Sequence, residues 1–147
     1  MWTRFQRRRL ACERKVLERK LPQFHFYNPT GDTYVSGIVP LRSAGLSLTV
    51  KCVLDPLFPD VMPPLYVTSP LTLWRYRRRG TVNSEGASHA FHTLWNGPGG
   101  VVQICHFKPQ QWHSGRSLFA VFMKGLWWSR AYEEHLRSGK PLCDYCG

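Results

Sequence analysis

Leu46-Ser-Leu-Thr-Val-Lys-Cys-Val-Leu54 alternates strictly: Leu46, Leu48, Val50, Cys52 and Leu54 fall on one side, Ser47, Thr49 and Lys51 on the other. A period of two residues is that of a strand with one buried face, so this stretch commits the chain to a sheet covered on one side. Cys52 belongs to the buried side and reads as a small core residue.

Upstream, Thr33–Val39 is rich in β-formers and is expected to stop at Pro40, and Phe24–Tyr27 makes a short first strand. Between them Asn28-Pro29-Thr30-Gly31-Asp32 is a turn, because proline presets φ and glycine tolerates positive φ. Residues 3–20 contain no Gly or Pro and carry a ragged apolar side of Phe5, Leu10, Val16, Leu17 and Leu21, which predicts a helix ended by Pro22. Downstream, the prolines of the segment 55–64 exclude helix and central strand. Leu65–Thr68 gives a fourth strand, and residues 70–100 are rich in Gly, Ser, Asn and Pro. A connection that long in a compact domain usually serves function. Ser114–Ser138 reads as helix, capped by Ser114 or Ser117, with Leu118, Val121, Phe122 and Leu126 on one side and Gly139 and Pro141 as its stop. Gly125 is a candidate break into two pieces.

The predicted order is helix, four-stranded antiparallel meander, a long irregular segment holding one cysteine, and a helical C-terminal region, hence α+β. The 147 residues suit one domain, 1–147, with 43% hydrophobic and 20% charged residues. No apolar run is long enough to span a bilayer, and the basic start lacks a signal peptide's apolar stretch, so a cytoplasmic protein is expected. Five scattered cysteines fit a reducing compartment better than a disulfide framework.

Net charge is +11, concentrated in residues 4–20 and in the run Arg75, Arg77, Arg78, Arg79. Such clusters accelerate encounter with acidic partners, protein or nucleic acid. No nucleic-acid-binding motif accompanies them, so nucleic acid ranks last among the partners considered.

One segment carries chemistry: Val102-Gln-Ile-Cys105-His-Phe-Lys-Pro109-Gln-Gln-Trp112. It resembles the active-site signature of prokaryotic ubiquitin-conjugating enzymes, a cysteine after a hydrophobic residue, then proline and tryptophan. The element order, Tyr34-Val-Ser-Gly37, Phe58-Pro59 and Pro63-Pro64 are similar to that family's meander and proline-rich loop. The tail Trp127-Trp128 through Tyr132-Glu133 to Gly139-Lys140 resembles conjugating-enzyme-like proteins of bacterial anti-phage cyclic-oligonucleotide operons.

The resemblance implies a ubiquitin-conjugating-like fold and a cysteine-dependent acyl transferase, with Cys105 as the thioester-forming nucleophile. Cysteine suits the task because its thiolate attacks well and sulfur leaves readily when an amine arrives. In the family an asparagine ahead of the cysteine stabilises the oxyanion or holds the adjacent loop. Asn96, in His92-Thr-Leu-Trp-Asn96-Gly97, is its counterpart, although the family's His-Pro-Asn tripeptide is absent. His92 and Asn96 therefore join Cys105 as candidate catalytic residues, and Asn96 alternatively is a plain turn residue. The implied acyl donors are a ubiquitin-like protein or a cyclic GMP-AMP synthase-like nucleotidyltransferase, with a separate activating enzyme met by the first helix. No cofactor, membrane or resident metal is implied.

Other residues carry open alternatives. His106 either tunes the thiol, relays a proton or is simply solvated. Trp112 anchors the active-site segment, and Trp127, Trp128 and Tyr132 pack or form a partner face. Cys143 and Cys146 are half of a zinc site without a second pair. A non-catalytic binding module of the same fold is the principal rival reading.

Overall fold

The computed structural model describes residues 1–144. The N-terminal helix α1 spans Arg4–Lys20, and its start is built from sequence: the Thr3 hydroxyl accepts from the Gln6 N–H at 3.1 Å while the Gln6 side chain accepts from the Thr3 N–H at 2.9 Å. The ragged apolar side is corrected. Leu10, Glu13 and Leu17 form the buried stripe, whereas Phe5 is 70% and Val16 39% exposed. Steps of three and four residues define one helical face, and Phe5 and Val16 lie off it.

Strands β1 (His25–Tyr27), β2 (Tyr34–Leu41), β3 (Leu46–Val53) and β4 (Leu65–Ser69) form the antiparallel meander. β2 runs through Pro40 rather than stopping before it, with Pro40 opposite Ser47. Since β1 covers only Tyr34–Ser36, the outer edge of β2 is uncovered there, and a missing N–H costs no ladder bond. The turn into β3 closes on Gly45, whose φ of +66° is a left-handed conformation glycine takes without strain. Leu48, Val50, Cys52 and Leu54 are buried as the alternation requires.

The sheet does not end at four strands. Two short strands from the long irregular region, β5 (Thr93–Leu94) and β6 (Val102–Ile104), extend it to six in the order β1-β2-β3-β4-β6-β5, all antiparallel. The rest of residues 70–100 is loop and short 3-10 turn, ordered by side chains. Asn83 is the centre of that order, accepting from the Leu73 N–H at 2.8 Å and donating to the Leu71 and Gly100 carbonyls at 2.8 and 2.9 Å.

The C-terminal helix α2 is continuous over Leu118–Ser138, capped by Ser117, whose hydroxyl accepts from the Ala120 N–H at 3.0 Å, and closed by left-handed Gly139. Gly125 does not break it. A Cβ there would stand 2.8 Å from Leu65 Cδ2, so the glycine lets the helix lie close on β4. Phe24 and Phe122 meet at 4.2 Å between ring centroids in the layer between α2 and the sheet.

Glu13 joins the two helices. Only 5% exposed, it accepts from the Leu118 N–H at the start of α2 at 2.9 Å and pairs with Arg9 at 3.4 Å. Arg9 in turn donates to the Ser114 and Arg116 carbonyls at 2.6 and 2.7 Å. A carboxylate at a helix N-terminus meets free N–H groups and the positive end of the dipole. Among the described residues no helix is long and apolar enough to cross a membrane.

Candidate active site

Cys105 is the first residue beyond β6, at the end of a strand whose two inward side chains, Val102 and Ile104, are buried. It stands outside the core cluster and is partly exposed, unlike Cys52, which is fully buried and whose thiol burial pushes far above the ordinary range. Cys12 is exposed on α1, and Cys143 is partly exposed.

The β5–β6 register decides which candidates meet. Thr93 faces Ile104 and Leu94 faces Gln103, and just beyond the end of this ladder the Cys105 N–H donates to the His92 carbonyl at 3.1 Å, so the two backbones are adjacent. His92 itself turns out of the strand at φ +55°.

Asn96 is carried the other way. It lies at the turn end of the same hairpin, where the Gly97 N–H donates to the Val101 carbonyl at 2.9 Å. It lies past the bend at Trp95, beyond the paired residues Thr93 and Leu94. Its amide donates to the Asn83 carbonyl at 2.7 Å, tying the hairpin turn to the Asn83 loop, and no hydrogen bond among the described residues links it to Cys105.

The charges around the thiol come from residues that sequence reasoning left out. Burial pushes the Cys105 thiol above its ordinary value, and the ammonium groups of Lys108 and Lys124 pull it back. The same lysines act on His92, whose basicity is lowered first by burial, then by His89, Lys124 and Lys108. Lys124 projects from α2 over the segment after Cys105, with Nζ 4.7 Å from the Phe107 ring centroid and 5.8 Å from that of Trp127. Its signal was its position: a lone lysine in the apolar first half of α2, where solvation alone gives no reason for a charge.

Of the three readings of His106, the solvated one is corrected by its burial. It is 3% exposed. The Phe107 N–H donates to Nδ1 at 2.7 Å, which leaves the proton on Nε2, 2.5 Å from the Pro63 carbonyl oxygen that accepts it. Burial, together with Lys124 and against that hydrogen bond, pulls its pKa down to about 4. The ring is thus a neutral clamp between the proline-rich loop and the segment carrying Cys105. Trp112 adds a second clamp, donating from Nε1 to the Pro59 carbonyl at 3.0 Å and meeting Phe107 edge-on at 5.8 Å.

Trp128 and Tyr132 pack in the core, with Trp128 Nε1 donating to the Phe91 carbonyl at 2.9 Å, while Trp127 is 58% exposed. Cys146 lies outside the described residues, so the proposed half-site with Cys143 has only one member to describe. Among the described residues no three His, Cys, Asp or Glu side chains gather to hold a metal ion.

The arrangement is a partly exposed thiol past a strand end, two lysines whose charge lowers its pKa, and His92 joined to it through the backbone. Positive charge near a thiol favours thiolate, and near an acyl carbon it favours the oxyanion formed on attack. Comparison with protein-family models, curated proteins and solved structures finds no match for this chain.

Proposed function

We propose that the chain is a ubiquitin-conjugating-like acyl transferase of bacterial anti-phage defence, and that the α+β arrangement of helix, meander and C-terminal helix is the ubiquitin-conjugating-like fold. The observation that carries the reading is Cys105: a partly exposed thiol outside the core, just past the end of β6, whose pKa Lys108 and Lys124 lower and whose N–H donates to the His92 carbonyl.

In this reading Cys105 receives the C-terminal carboxyl of a partner protein. The thiol proton passes to His92, whose imidazole is neutral because burial and neighbouring cations lower its basicity. Sulfur attacks the activated carbonyl, the C–S bond forms as the bond to the activating carrier breaks, and the carrier's leaving atom takes up a proton. An acceptor amine then displaces the thiolate. Lys108 and Lys124 face the charge that develops on oxygen, while Asn96 serves by holding its loop. The donor is a ubiquitin-like protein or a cyclic-nucleotide synthase, and activation with ATP belongs to another protein.

One observation favours a second reading, a non-catalytic binding module: burial outweighs the lysines, so the resting thiol is protonated at neutral pH. A transferase tolerates this if it is deprotonated only when a donor docks. Incubation with activating enzyme, ATP and each candidate donor, followed by non-reducing gels, separates the readings. The transferase gives an adduct removed by dithiothreitol and absent with Cys105→Ala. A binding module gives none with any donor.

A further inference from the structure

The second arginine cluster sits on a loop that is held, not loose. Trp74 bridges Thr81, and the Arg75 N–H donates to the Gly80 carbonyl at 2.9 Å. α2 fixes this loop twice: the Tyr132 hydroxyl donates to the Trp74 carbonyl at 2.6 Å, and the Tyr76 N–H donates to His135 Nε2 at 3.1 Å. With Nε2 accepting, the ring proton is on Nδ1 and is donated to the Lys140 carbonyl at 2.7 Å.

Held in this way, Arg77 and Arg78 both take left-handed backbone, φ +53° and +52°, a costly conformation for a residue with a Cβ. The consequence is that Arg77, Arg78 and Arg79 are all exposed, and none has an acidic partner among the described residues. The nearby Glu85 is taken by Arg75 at 3.0 Å.

Beside them runs a groove of about 340 Å³, floored by Leu46, Pro70, Leu136 and the 40% exposed Trp74, with Arg75, Arg77 and Arg78 along it. Arg75 Nε is buried there with no hydrogen-bond partner among the described residues. An apolar floor beside uncompensated guanidinium groups is complementary to a segment carrying both carboxylates and aliphatic side chains.

We propose that this groove binds a short acidic, leucine-containing peptide segment of a partner protein, at a site separate from Cys105. Its carboxylates pair with Arg77 and Arg78, which line the groove, and its aliphatic side chains lie on Leu46, Pro70 and Leu136. Single-stranded nucleic acid fits less well, because the ring faces that bases would use are covered: Arg78 stacks on Trp74 at 5.1 Å and Arg77 on Tyr76 at 5.0 Å.

Fluorescence anisotropy with the whole protein tests this, using a fluorescein-labelled peptide of alternating Glu and Leu, its Glu and Ser counterpart, and an oligothymidylate. The Glu and Leu peptide is expected to bind tightest at physiological salt. The double substitution Arg77→Gly with Arg78→Gly weakens it about tenfold or more, and glycine accepts the local φ, so the fold survives. Leu136→Gln weakens it as well, and Cys105→Ala leaves it unchanged. The proposal is overturned if the Glu and Ser peptide binds equally, if oligothymidylate binds more tightly, if the glycine variant binds like the parent, or if no probe binds.

Discussion

Cys105 and His92 are joined through their backbones, the Cys105 N–H donating to the His92 carbonyl across 3.1 Å just beyond the last pair of the β5–β6 ladder. The thiol therefore takes its position from a strand pairing, not from a free loop, and His92 is carried with it. Lys108 follows three residues later, and Lys124 reaches the same place from α2.

Because both lysines lower the thiol pKa, removing them raises it. The variant Lys108→Ala with Lys124→Ala is expected to alkylate several-fold more slowly with iodoacetamide at Cys105 at mildly alkaline pH, read by peptide mass mapping. Cys12, remote in the fold on α1, supplies the internal reference and keeps its rate. Equal slowing at both cysteines contradicts the account.

His106 makes stability fall in acid. Its pKa is pulled down to about 4 in the folded chain, against 6.5 when unfolded. Between those values the unfolded chain binds a proton that the folded one refuses, so stability is complete above pH about 6.5 and is lost as pH drops toward 4. The loss is on the order of 3 kcal/mol; His92 and His135, also lowered by burial, act in the same direction. Urea midpoints measured across this range are expected to fall steeply for the parent and less steeply for His106→Gln.

Glu13→Ala is expected to cost about 2–3 kcal/mol, since it strips a buried charged acceptor from the Leu118 N–H and leaves Arg9 without its carboxylate. Glu18→Ala, on the same helix but in an exposed pair with Arg14, is expected to cost well under 1 kcal/mol. Thermal melts of the two variants check the contrast.

Gly125→Ala separates two opposed effects. Alanine gains about 1 kcal/mol of helix propensity over glycine, but its Cβ would stand 2.8 Å from Leu65 Cδ2, in a side chain with no exposed surface. Overpacking at such a contact costs about 1–3 kcal/mol, so a net loss of stability is expected in a denaturant titration. A net gain would show that the close approach of α2 to β4 is not constrained.

The strict alternation of Leu46–Leu54 was legible because a strand with one buried face writes its period directly into the sequence, and the burial of Leu48, Val50, Cys52 and Leu54 follows it. The helix at Arg4–Lys20 was legible for its lack of breakers and its stop at Pro22, but its buried face was not: Glu13, a charge, occupies the stripe because α2 offers it an N–H. Gly125 was read from local propensity, while its tertiary neighbour Leu65 decides its role. Chain order alone also grouped Asn96 with Cys105. Only the hydrogen bonds of the folded chain show that Cys105 meets the His92 backbone while the Asn96 amide is bonded to the Asn83 loop. Lys124 stood out as a lone lysine in the apolar half of α2, but its influence on Cys105 comes from a different element and so depends on the tertiary fold.

The most direct measurement is the intact mass and peptide map of the Cys105→Ser protein after incubation with activating enzyme, ATP and donor. Serine in place of the thiol is expected to trap the donor as an oxyester at residue 105 that survives dithiothreitol, where the parent gives an adduct that does not. A thiol-sensitive adduct still present with Cys105→Ala, or mapped to Cys12 or Cys143, would contradict the account.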